Sequence, residues 1–298
     1  MPEYTFPDEI IGPQEAELKI FTLRPPMLTY GEIGHLARRF GINATRSELI
    51  AQERPAKTTF SQGCLEFNLH RGSGGWRFRD NSKWQVDDGY SNVGLTDVQV
   101  AELALKYINE YELADKSECH LLKVSRLNVG VADRIGKYAE ERVIDVGVAF
   151  QRTVDRLPVA GPGGKIVLYL DHTGTITGVD RIWREIEDLY QPVEQFRPLE
   201  YALKDVVNHW GRSGYGRIIV EEVRVGYFEL GWEHAQRYLQ PAYIMPLTII
   251  SNNGRFVMRS EHVIPAAVNG IGTLMPRILQ VKEQQLRESA VPGPHAQE

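Results

Sequence analysis

The sequence predicts an α+β protein of about three tandem modules, each a helix laid across an antiparallel sheet. Three observations predict it. One helix start occurs twice in nearly the same residues, hairpin-like strands follow each helix, and a looser third helix precedes a last set of strands.

The first start is Leu28-Thr29-Tyr30-Gly31-Glu32-Ile33-Gly34-His35-Leu36-Ala37-Arg38-Arg39-Phe40. The second is Leu95-Thr96-Asp97-Val98-Gln99-Val100-Ala101-Glu102-Leu103-Ala104-Leu105-Lys106-Tyr107. In each, Thr stands where an N-cap is needed, and Glu32 or Gln99 follows three residues on to close a capping box. Ile33, Leu36, Ala37 and Phe40, like Val100, Leu103, Ala104 and Tyr107, then recur at i, i+3, i+4 and i+7, one apolar helix face. The third helix runs from about Pro198 to Trp210. Its proline suits a first turn, and Leu199, Ala202, Leu203, Val206, Val207 and Trp210 recur at helical spacing.

After the first helix, Leu65, Phe67 and Leu69 alternate, a Gly72–Gly75 turn follows, and Trp76 and Phe78 begin a second strand. Strands are expected next over residues 120–131, 143–153, 165–170 and 175–183, with Asp171-His172-Thr173-Gly174 as the hairpin between the last two. Beyond the third helix they are expected over 217–232, 241–250 and 255–264, with Asn253-Gly254 as a turn. This places a first module at 17–94, a second at 95–190 and a divergent third at 195–275. Residues 276–298 read as a short helix and a disordered tail rich in Pro and Gly.

Composition bounds the function. The chain has 298 residues, 34 Lys and Arg against 39 Asp and Glu, and a net charge of −5, so it lacks the basic character of a nucleic-acid binder. No apolar run is long enough to span a bilayer, and the first residues carry no basic, apolar leader, so no membrane partner and a cytoplasmic location are expected. Cys64 and Cys119 read as two buried, reduced thiols.

The stretch Val148-Ala149-Phe150-Gln151-Arg152-Thr153, then Leu157-Pro158-Val159-Ala160-Gly161, then Ile166–Leu170, Asp171-x-x-Gly174 and Ile176-x-x-Val179 resembles the PepSY and FTP modules of thermolysin-like propeptides. The helix starting at Thr96 is similar to theirs as well, and the likeness is best over 95–190. The resemblance implies a cystatin-like helix-on-sheet fold and a role in holding a peptide, a small apolar ligand or a peptidase.

Little in the chain points to catalysis. Gly161-Pro162-Gly163-Gly164 lacks the order of a phosphate loop and opens a strand, so it reads as a tight turn. The eight His show no metal-ligand spacing, so neither metal nor cofactor is expected. The densest polar-aromatic stretch is 227–243. There Val223, Val225, Tyr227 and Glu229 share one strand face, which would desolvate the Glu229 carboxylate and raise it into acid–base range. Glu229, His234 and Tyr238 are therefore the candidate catalytic residues, and Tyr227, Tyr243 and Trp232 the candidate ligand-binding ones. The leading expectation is a binder of a peptide or small apolar ligand, with oligomerisation left open. A cofactor-independent isomerase, cyclase or hydrolase built on Glu229 is the alternative, and a peptidase inhibitor a further one.

Overall fold

A computed structural model describes residues 2–7, 9–12, 18–26, 29–43, 45, 54, 56–84, 92–132, 138–211, 214–272, 274 and 277–283. In chain order the elements are β1 (Glu3–Thr5), β2 (Ile10–Ile11), β3 (Lys19–Leu23), α1 (Tyr30–Arg38), β4 (Lys57–Gln62), β5 (Leu65–His70), β6 (Trp76–Asp80) and α2 (Asp97–Glu110). Then come β7 (Cys119–Ala132), β8 (Tyr138–Val154), β9 (Leu157–Ala160), β10 (Lys165–Leu170), β11 (Ile176–Ile182), β12 (Ile186–Pro192) and α3 (Leu199–Trp210). Last are β13 (Tyr215–Val220), β14 (Val223–Phe228), β15 (Tyr238–Leu239), β16 (Pro241–Ser251), β17 (Phe256–Pro265) and β18 (Arg277–Glu283). No helix among the described residues is long and apolar enough to cross a membrane.

The chain divides into two units. A central unit holds Ile20–Gln191 and Tyr227–Leu239, and a terminal unit holds Met1–Lys19, Pro192–Gly226 and Gln240–Glu298.

In the central unit the local reading of the helix starts holds. Thr29 and Thr96 each form a full capping box, the Thr29 N–H donating to Glu32 at 2.7 Å and the Thr96 N–H to Gln99 at 2.9 Å. The tandem-module fold class does not hold. The chain is mostly strand, with three α-helices among the described residues, and α1 and α2 do not each own a sheet. Strands from both supposed modules form one antiparallel sheet in the order β7-β8-β10-β11-β6-β5-β4. The join is the β6–β11 pair, where Phe78 lies opposite Val179 and Trp76 opposite Arg181. A two-hairpin module would have left the edge of β6 unpaired, and satisfying its N–H and C=O groups drives the merger. Ile33 and Ala37 of α1 and Val100, Ala104 and Ile108 of α2 pack into one continuous core with Phe67, Phe78, Val148, Phe150, Leu168 and Val179. The repeat therefore describes two helix starts, not two domains. Trp76 and Phe78 lie in that core.

The Asp171 hairpin forms as its residues suggest. Asp171 Oδ1 accepts from the backbone N–H of Thr173 and Thr175 at 2.9 and 3.0 Å, and Oδ2 pairs with Lys83 at 3.2 Å. Cys119 is buried, and burial pushes its thiol up to about 11. Cys64, expected inside, is exposed.

In the terminal unit, β13, β16, β17 and β18 run antiparallel in that order, and β1 pairs parallel with β13. The strand expected over 217–232 is broken at Glu221 and Glu222 into β13 and β14. The helix expected from Pro276 is instead strand β18, because the edge of β17 offers six residues of backbone partners. The remainder of that expected helix and tail, 284–298, lies outside the described residues. α3 buries Ala202, Val206 and Trp210. It is fixed to β17 by a polar chain in which Trp210 Nε1 donates to His262 Nδ1 at 3.3 Å and His262 Nε2 meets Asp205 Oδ2 at 2.8 Å.

Candidate functional site

The stretch that looked densest in sequence is a structural knot. Tyr227 and Phe228 pair parallel with Val159 and Ala160, and the chain then turns at Glu229. The Glu229 N–H donates to the Ala160 carbonyl at 3.0 Å, and its own carbonyl accepts from the Gly163 N–H at 2.9 Å. This explains the Gly161-Pro162-Gly163-Gly164 turn. A Cβ on Gly161 would lie 2.5 Å from the Glu229 carbonyl oxygen, and one on Gly163 would lie 2.5 Å from that of Leu230. Gly161 also sits at φ +86°, which side chains disfavour. The glycines admit a neighbouring backbone, not a phosphate.

Glu229 is fully buried. Its Oε1 accepts from the Arg184 backbone N–H at 3.1 Å and from Arg184 Nη1 at 2.9 Å. The Arg184 guanidinium continues to the carbonyls of Leu230, Gly231 and His234 at 2.6, 3.0 and 2.6 Å. Burial pushes the Glu229 carboxyl up against the pull of Arg184, and pushes the Arg184 guanidinium down. Glu229 Oε2 and Arg184 Nε have no hydrogen-bond partner among the described residues. Gln236 closes the loop, accepting from the Leu230 N–H at 2.7 Å and donating to the carbonyls of Phe228 and Tyr238 at 2.9 Å.

The other sequence candidates are not gathered around Glu229. The His234 side chain is exposed and contributes its carbonyl to Arg184. Tyr238 packs its ring against Tyr190 at 4.8 Å. Tyr227 is buried, its hydroxyl donating to Asp155 at 3.2 Å. Trp232 lies 4.9 Å from the His70 ring and beneath Arg77. Tyr243 belongs to the terminal unit, where its hydroxyl donates to the Arg197 carbonyl at 2.5 Å. Each of these side chains but His234 has a structural contact, and none of them lines the clefts described below.

The open chemistry lies in the segment that continues β11, Arg181-Ile182-Trp183-Arg184-Glu185. A cleft of about 200 Å³ is lined by Arg24, Pro25, Pro26, Glu32, Ser73, Gly74, Arg181, Trp183, Arg184 and Glu185. A second cleft, about 430 Å³, is lined by Asn109, Glu112, Leu113, Ala114, Asp115, Glu118, Arg152 and Ile186. Arg181, Trp183 and Glu185 line both. Buried Trp183 is the shared wall, with the Arg152 guanidinium 5.1 Å over its ring. Arg152 Nε pairs with Glu118 at 2.8 Å, and its Nη1 donates to the Arg184 carbonyl at 2.7 Å.

Arg181 differs from these neighbours. Its Nε donates to the Leu113 carbonyl at 2.6 Å, which holds the side chain in place, while its two terminal nitrogens have no hydrogen-bond or ion-pair partner among the described residues. A held guanidinium with free donors at a cleft can take a carboxylate or similar planar anion by two parallel hydrogen bonds. Sequence reading missed Arg181 and Arg184. The available signal was R-x-x-R at the end of a strand ending in Trp, which by itself reads as an ordinary solvated edge.

No family model and no curated protein matches the chain. Among solved structures, the chain is similar to an uncharacterized protein from Eubacterium rectale at 9% identity and a TM-score of 0.45, covering 87% of this chain and 86% of that one.

Proposed function

We propose that the central unit binds a small ligand or short peptide in the two clefts that meet at Trp183. The observation that supports this is Arg181, which lines both clefts, is anchored through Nε and has no partner for its terminal donors among the described residues. Arg181 is half-buried, and its terminal donors are open to solvent, so an incoming anion would replace water on a side chain already held in place. Trp183 and Ile186 add apolar wall, and together the clefts reach the size range of small-molecule sites.

This reading moves the site away from Glu229. A carboxylate clamped by Arg184 and closed from solvent cannot exchange a proton with a substrate, so acid–base chemistry at Glu229 has no geometric support. The test is a thermal-shift screen of short peptides and small carboxylic acids on the full chain, run in parallel on R181M. At a ligand concentration one hundred times Kd the wild type gains about 2.7 kcal/mol of stability, a rise of a few degrees in Tm. R181M keeps the apolar stem, binds about tenfold more weakly and loses about half of that rise. A screen in which R181M and wild type respond alike would remove Arg181 from the site and this reading with it.

A further inference from the structure

The larger cleft carries a more specific message in its charges. It is lined by six charged residues, and four of them are already engaged within the protein. Glu112 pairs with Arg39 at 2.8 Å, Glu118 with Arg152 at 2.8 Å, and Glu185 with Arg24 at 3.1 Å. Two have no ion-pair partner among the described residues, one of each sign: Arg181 and Asp115. Asp115 Oδ1 accepts from the Ser117 hydroxyl and N–H at 2.7 and 2.8 Å, which fixes the carboxylate and leaves Oδ2 free. Those hydrogen bonds hold the exposed carboxyl below its ordinary range, so it is ionised at neutral pH.

The two unpaired charges are also close in reach. Arg181 is anchored on the carbonyl of Leu113, two residues before Asp115. Two residues of extended chain span at most about 7 Å, which is also about the length of a dipeptide backbone. Leu113, Ala114 and Trp183 line the same cleft and supply apolar wall. Opposite unpaired charges on neighbouring stretches of one cleft, beside that wall, complement a short molecule with a charge at each end.

We infer that this cleft takes a short zwitterion of the dipeptide class, its free carboxylate on the Arg181 fork and its free amine on Asp115. This rests on the reading that the clefts bind a ligand, and adds which one and in which orientation. Arg181 serves as the carboxylate anchor, Asp115 as the ammonium anchor, and the apolar side chains of the peptide lie toward Leu113 and Trp183.

The experiment uses the full chain and a pool of Leu-Leu, Val-Leu and Phe-Leu in three forms: free at both ends, acetylated at the amine, and amidated at the carboxyl. Binding is read by saturation-transfer NMR and by titrated Tm. The free pool binds, and blocking either end weakens it about tenfold, the size expected for losing one charge-assisted hydrogen-bonded contact. R181M abolishes the preference for a free carboxyl and leaves that for a free amine, while D115N does the reverse. Asn at 115 still caps the Ser117 turn, so that variant keeps its fold. R181K, which keeps the charge without the fork, gives an intermediate carboxylate preference.

Equal binding of blocked and free pools would overturn the zwitterion assignment while the binding reading stands. No binding by any pool also overturns it, and the wider screen of wild type against R181M then decides the binding reading separately.

Discussion

The two units bury polar groups in opposite ways. The central unit closes over an ion pair, Arg184 with Glu229, whose guanidinium is ringed by backbone carbonyls yet leaves one carboxylate oxygen without a partner. The terminal unit closes over a histidine, His262, with both ring nitrogens engaged by Trp210 and Asp205. Because Trp210 Nε1 can only donate, His262 Nδ1 must accept, and the proton sits on Nε2 facing Asp205. One unit thus buries a pair of opposite charges, the other a neutral ring. The difference teaches that pH acts on the two units through different groups.

The largest effect should come from breaking the central pair. R184M leaves Glu229 buried without its cation and should cost about 3–5 kcal/mol in urea unfolding, whereas the double variant R184M/E229L, with no charge left inside, should recover most of that. If the single and double variants unfold alike, the knot at 229–234 depends on its carbonyl contacts and not on the ion pair.

Asp145 sharpens the pH contrast. It is buried on β8, accepts from the Thr177 hydroxyl at 3.0 Å and the Val146 N–H at 2.9 Å, and burial raises its carboxyl to about 6. A carboxyl raised on folding favours the fold while protonated, so its contribution is full below the ordinary value of 3.8 and is lost as pH rises through about 6. That rise corresponds to about 3 kcal/mol. D145N should therefore stabilise the protein by about 2–3 kcal/mol at pH 8 and make little difference at pH 4, as read by paired urea melts.

His262 has the opposite sign. Burial lowers its ring pKa, so its contribution is present above 6.5 and lost as pH falls below that value. H262Q should cost about 1–2 kcal/mol at pH 7.5 through the unsatisfied Trp210 N–H, and should flatten the acid limb of stability. Equal acid sensitivity in H262Q and wild type would show that another group controls it.

The smallest effects compare helix starts. T29A and T96A each remove a closed capping box and should lose about 1 kcal/mol, equally in the two helices. α3 begins at Pro198 with no side-chain cap, so P198S should gain up to about 0.5 kcal/mol, less than a full cap because proline rigidity is given up. Chemical denaturation of the three variants checks the ordering.

Much of this was written locally. The capping boxes at Thr29 and Thr96, the span of α3, the alternation of β10 and the Asp171 turn all follow from residues within a few positions of each other. Interactions at that range survive any tertiary arrangement, so the sequence by itself determined them. Three decisions came from distant pairing. β6 met β11, about a hundred residues on, and merged two apparent modules into one sheet. The edge of β17 made a strand of 277–283, where the local pattern favoured a helix. Arg184 reached Glu229 across 45 positions and converted a candidate acid–base residue into a buried ion pair. Arg181 was invisible in the same way, since its significance lies in which donors the fold left unpaired. Backbone edges and buried charges take whichever partner the assembled chain presents, and only the tertiary structure names it.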